Sequence, residues 1–115
     1  MNISGSNNIS IYVTEGHFLS NNGSININEF TRTYFYSYGS KINLKNMNMI
    51  GDTTIKDDLM KFDKSICNLE NLSIAKSGNT GLNFSSTYCN INGLNLNVDE
   101  YGITAVSNST IKITE

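Results

Sequence analysis

The sequence predicts an all-β chain wound as a parallel β-helix, a solenoid of about five coils, and three observations lead there. First, residues 67–74 (Cys-Asn-Leu-Glu-Asn-Leu-Ser-Ile) return 22 residues later, at 89–96, as Cys-Asn-Ile-Asn-Gly-Leu-Asn-Leu. A further step of 22 reaches Ile111-Lys112-Ile113, which repeats the opening apolar-polar-apolar triplet. A fixed period in the twenties marks stacked units, each too small to bury its apolar face alone. Second, the alternation inside a unit (Cys67, Leu69, then Leu72, Ile74) slips by one residue at Asn71. Two short strands of period two joined by a one-residue bend explain the slip. Third, each unit carries another apolar pair beyond a loop: Met60 and Phe62, Leu82 and Phe84, Ile103 and Ala105.

Composition agrees. The chain has 115 residues, room for at most one domain. Its 38% apolar content is low without implying disorder. Proline is absent, as expected where each strand lies inside a ladder and each N–H is needed. A net charge of −2 with 16% charged residues argues against nucleic acid, whose phosphates call for clustered Lys and Arg. No apolar run reaches the length of a membrane span or a signal-peptide core. Export would then require another signal, or cell lysis.

Taken in order, residues 1–13 read as a first coil, because Asn8-Ile9-Ser10-Ile11 matches Asn71-Leu72-Ser73-Ile74 in type, with Met1-Asn2-Ile3 either its opening triplet followed by two extra residues or part of an irregular first strand. Residues 15–23 read as a turn containing His17, a short strand around Phe18, and a second turn rich in Asn and Gly. A second coil starts at Ile25-Asn26-Ile27 and a third at Ile42-Asn43-Leu44, a step of only 17. Residues 1–41 are the irregular, aromatic-rich part of the single domain and 42–115 its regular coils. The step from Ile42 to Cys67 is 25, the excess lying in residues 51–58, an exposed acidic, Thr-rich loop. Coil length thus varies at loops and is held at strands. The bend falls at Asn46, Asn71 and Gly93, residue types that accept a left-handed backbone at little cost. Ile25, Ile42, Cys67, Cys89 and Ile111 are expected to stack inside, about 4.8 Å apart, with Asn26, Asn43, Asn68 and Asn90 forming an amide ladder outside.

Residues 68–97, with Asn at the bend, Ser-Gly-Asn-Thr-Gly-Leu in the loop and Cys-Asn-Ile-Asn-Gly-Leu in the next coil, resemble the right-handed parallel β-helix of pectin-lyase-like proteins and bacteriophage tailspikes. The resemblance covers about residues 42–113. It implies right-handed winding and a place in a phage tail or at a cell surface. It does not choose an activity, since fibres, adhesins, lyases and hydrolases share the fold.

Enzymes of that resemblance use carboxylates from adjacent coils, converging with a base or calcium. Here Glu15, Glu29, Asp52, Asp57, Asp58, Asp63, Glu70, Asp99, Glu100 and Glu115 fall mostly in loops, and no acid on a strand stacks on another. No catalytic residue, metal ligand set or cofactor is expected. Four zinc ligands are not present as a set, and Cys67 and Cys89 are expected to be free, buried thiols. The aromatic run offers the candidate site. Tyr34, Tyr36 and Tyr38 share one strand face, and with Arg32 and Lys41 they form either a sugar-stacking surface or a core cap or subunit contact. The expected role is a non-enzymatic structural and receptor-binding segment of a phage tail fibre or tailspike, recognising a bacterial surface glycan. A bacterial adhesin segment and a lyase or hydrolase with an intersubunit site are the alternatives. Roughly five coils leave both ends open, so a homo-oligomer, expected as a trimer, or a longer chain is the expected setting.

Overall fold

A computed structural model describes residues 2–4, 11–28, 35–50, 58–77, 80–98 and 101–114. It is a β-solenoid of two parallel sheets. The long sheet contains β1 (Asn2–Ser4), β3 (His17–Asn28), β5 (Lys41–Ile50), β7 (Ile66–Ser77), β9 (Tyr88–Val98) and β11 (Thr110–Thr114), stacked in that order. The short sheet contains β2 (Ile11–Thr14), β4 (Phe35–Tyr38), β6 (Met60–Asp63), β8 (Thr80–Ser85) and β10 (Tyr101–Val106). About three turns, beginning at Lys41, Ile66 and Tyr88, carry the full pattern, fewer than the five expected. The ends hold partial coils.

The strands β5, β7 and β9 bend where the alternation slips. Asn46, Asn71 and Gly93 have φ of 53°, 51° and 79°. A left-handed step turns the strand without breaking its ladder, so one strand presents two faces to the core. At Gly93 an added Cβ would lie 3.4 Å from the Asn71 backbone, so the smallest residue stands where strands crowd. On one side of the bend the expected stack runs Ile42 over Cys67 over Cys89 over Ile111, and on the other Met49 lies over Ile74 over Leu96.

Inside, the long sheet contributes Ile42, Leu44, Met47 and Met49 with their equivalents, and the short sheet adds Phe35, Phe62 and Phe84. Phe18, Phe35, Phe62 and Phe84 form a continuous aromatic column with centroid separations of 5.4, 5.9 and 5.2 Å. Each fully buried side chain of this kind contributes about 1.5–3 kcal/mol.

The corner from short to long strand takes two residues. Glu15, Gly39, Lys64 and Ser86 adopt positive φ, and a small residue follows: Gly16, Ser40, Ser65 and Thr87. The buried hydroxyls link coil to coil. The Ser65 N–H donates to Thr87 Oγ1 (3.2 Å), the Ser40 N–H to Ser65 Oγ (3.3 Å) and the Thr87 N–H to Ser109 Oγ (3.2 Å). Each hydroxyl in turn donates to a carbonyl near its own corner, as Thr87 does to Ser85 (2.8 Å). This column satisfies backbone that faces away from both sheets.

The structure corrects the first coils. Phe18, not Ile25, is in register with Ile42, and Ile25 is in register with Met49. The turn expected first in residues 15–23 is present at Glu15-Gly16, but the second is not. His17, exposed, begins β3, and the strand runs through Asn21, Asn22 and Gly23, which stand at the mid-strand bend. An Asn-Gly cluster reads as a turn locally, but a one-residue left-handed step inside a ladder needs the same residue types. Ile11 belongs to the short sheet opposite Phe35, and Asn2 pairs with Asn26 rather than opening a coil. The expected amide ladder holds from Asn43 through Asn68 to Asn90, at 3.1 and 3.3 Å. Leu19, 77% exposed, takes the place expected for Asn26. Asp58 is buried, 6% exposed, and accepts a 2.7 Å bond from Asn83, so the exposed acidic loop does not extend to it. Residues 51–57 lie outside the described residues.

Candidate functional site

Side chains alternate across a strand, so burial of Phe35 and Ser37 turns Tyr36 and Tyr38 outward on the short sheet. Parallel register then lines up residues from successive coils. Tyr12, Tyr36, Lys61, Asn83 and Thr104 form one outward row, and Thr14, Tyr38, Asp63, Ser85 and Val106 form the next.

Within these rows the aromatic and charged groups touch. The Tyr12 and Tyr36 ring centroids are 5.1 Å apart. Lys61 Nζ lies 5.8 Å from the Tyr36 centroid, so Tyr36 is held between a ring and a cation. The Tyr36 hydroxyl donates a long 3.5 Å bond to Asp63 Oδ2. Lys64, at the corner, sits 5.4 Å from the Tyr38 centroid, and its Nζ donates to the Tyr38 hydroxyl at 3.3 Å. Partial burial, then the Asp63 carboxylate, hold the Tyr36 phenol above its ordinary 10.0. The hydrogen bond to Tyr38 raises the Lys64 ammonium. Stacking and cation–π contact therefore fix the ribbon in place, while phenol hydroxyls, ammonium groups and a carboxylate point to solvent.

Of the residues expected here, Tyr36 and Tyr38 lie side by side on this face; Arg32 and Tyr34 lie outside the described residues. Tyr12, Lys61, Asp63 and Lys64 were not expected. Their signal was present, since Tyr12-Val13-Thr14 stands 24 residues before Tyr36-Ser37-Tyr38 and Lys61 stands 25 after Tyr36. Finding it required steps other than 22.

The long sheet carries a second feature, a shallow depression of about 230 Å³ lined by Leu19, Asn43, Lys45, Asn68 and Glu70, with Leu44 at its base. Lys45 and Glu70 pair across it at 3.7 Å, both about half exposed. The remaining chemistry is dispersed. Among the described residues, no three His, Cys, Asp or Glu side chains stand close enough to hold a metal. Cys67 and Cys89 are free, buried and adjacent in register, and burial, with Cys89 beside it, pushes the Cys67 thiol far above its usual range. Such a thiol is a poor nucleophile.

Compared with known proteins, the chain matches no family model, no curated protein and no solved structure.

Proposed function

We propose that this chain is a structural and receptor-binding segment of a phage tail fibre or tailspike, presenting the outward face of its short sheet to a bacterial surface glycan. The observation that carries the reading is the ribbon of Tyr12, Tyr36, Tyr38, Lys61, Asp63 and Lys64, preassembled by mutual contacts on a stacked sheet. A sugar offers apolar C–H faces and hydroxyls, and it is met by aromatic surface with a few fixed donors and acceptors. Tyr36 has its ring faces covered by Tyr12 and Lys61, so it offers its edge and hydroxyl. Tyr12, 55% exposed, supplies the stacking surface. Little side-chain freedom is left to lose on binding, which lowers the cost of recognition.

The test is calorimetric titration of the chain with a panel of bacterial capsular and lipopolysaccharide fragments, repeated with Tyr12→Ala. Binding to one or a few of them, weakened at least about tenfold, or 1.4 kcal/mol, in the variant, supports the reading. No binding across the panel, equal binding by the variant, or turnover of the polysaccharide would contradict it.

A further inference from the structure

The depression on the long sheet uses no residue of the tyrosine ribbon, and its chemistry is different. Register places Leu19, Asn43, Asn68 and Asn90 in one outward row, and Asn21, Lys45, Glu70 and Asn92 in the next. The depression lies over β3, β5 and β7, with side chains of both rows around it. It faces outward across three paired strands, so a strand added along the axis would lengthen the rows and leave it open. The amides of the first row all donate in one direction. Asn90 Nδ2 donates to Asn68 Oδ1 at 3.3 Å, and Asn68 Nδ2 to Asn43 Oδ1 at 3.1 Å. The relay stops at Asn43, because the next place in the row holds Leu19, which has no acceptor. Among the described residues Asn43 Nδ2 thus donates to no partner, while its Oδ1 is held by Asn68. Beside it stands Leu19, 77% exposed, apolar where the three following coils carry amides. Across the depression, Glu70 holds Lys45 through Oε1 at 3.7 Å, which leaves Oε2 to accept another donor.

An unspent amide donor beside an exposed apolar side chain, with a carboxylate oxygen opposite, matches a group that carries a carbonyl, a methyl and an N–H together. We propose that the depression binds an N-acetylated hexosamine, seated by its acetamido group. The methyl rests on Leu19, the carbonyl accepts from Asn43 Nδ2, the N–H donates to Glu70 Oε2, and Lys45 Nζ donates to a ring hydroxyl. The volume sets the size of the ligand. About 230 Å³ is below the roughly 300–1,000 Å³ of sites that enclose a drug-sized molecule, so one sugar ring is held. The same groups discriminate. A hexose with a hydroxyl in place of the acetamido group has no methyl for Leu19. A free amino sugar brings an ammonium to the Asn43 donor and the Lys45 charge, and both repel it. The amide ladder orients Asn43 before the sugar arrives, which lowers the cost of recognition. This site goes beyond the reading of the tyrosine ribbon and does not rest on it.

NMR titration of the full chain with N-acetylglucosamine, N-acetylgalactosamine and N-acetylmannosamine tests this, with glucosamine, glucose and N-methylacetamide as comparisons. At least one acetamido sugar should give saturable shifts of the Leu19 methyl and the Asn43 and Asn68 side-chain amide signals, and the comparisons should bind at least about tenfold more weakly. Two variants divide the contact. Leu19→Ser removes the methyl seat from an exposed position, and Asn43→Asp keeps the oxygen that accepts from Asn68 while removing the donor. Each should weaken binding at least about tenfold and melt near the wild-type temperature. A sugar held at the ribbon would instead move the Tyr12 and Tyr36 ring signals, so failure here and failure of the proposed function are read separately. No saturable shift at Leu19 and Asn43 with any of the three sugars would overturn the proposal. So would glucose, glucosamine or N-methylacetamide binding as tightly as the acetamido sugar, or full affinity in either variant.

Discussion

Thr87 shows how much of this fold rests on single polar atoms. Its Oγ1 accepts the Ser65 N–H and donates to the Ser85 carbonyl from a side chain only 2% exposed. Thr87→Val keeps the shape and removes both bonds, and leaving a buried N–H unpaired costs about 1–3 kcal/mol. Thr87→Ser keeps the hydroxyl and should lose well under half of that, as chemical denaturation will measure. Asn71 tests backbone instead. At φ 51° an alanine costs about 1–2 kcal/mol, whereas glycine should lie near wild type despite losing the exposed 2.8 Å amide bond to Asn46. Tyr36 tests charge. Its phenol holds its proton more tightly folded than unfolded, so the stability it contributes is complete below pH 10 and is lost as pH rises through the folded value. Melting temperature should fall more steeply above pH 10 in the wild type than in Tyr36→Phe.

At the scale of the element, the aromatic column joins the coils. Phe62 is fully buried between Phe35 and Phe84, and Phe62→Ala should cost about 3–5 kcal/mol, read as a large drop in denaturation midpoint. Elements also show what the sequence made legible. Cys67 and Cys89 share a period because both fill one interior stack, and Asn71 and Gly93 share a bend because few residue types accept positive φ. The sequence puts Phe18 on a strand, as the structure does, but not in the Ile42 stack, because local turn chemistry at Asn21-Asn22-Gly23 is indistinguishable from a mid-strand bend until the partner strand is known. The corner column went unread, since Ser40, Ser65, Thr87 and Ser109 are common residue types at steps of 25, 22 and 22, and their worth comes from burial. Two of the six candidate-site residues were legible: alternation put Tyr36 and Tyr38 on one face, but their neighbours Tyr12, Lys61, Asp63 and Lys64 arrive from other coils across loops of unequal length.

For the whole molecule, a solenoid makes its surface by repetition, so a row of outward residues is only as well defined as the register beneath it. The tyrosine ribbon depends on that register, and so does the corner column. It can be measured by NMR couplings through hydrogen bonds in solution. Couplings should connect the Ile66 N–H to the Ser40 carbonyl, the Tyr88 N–H to Ser65 and the Thr110 N–H to Thr87, three parallel links at the same corner of successive coils. Couplings that instead pair neighbouring segments antiparallel, as a β-sandwich requires, would contradict the stacked architecture and the function proposed on it.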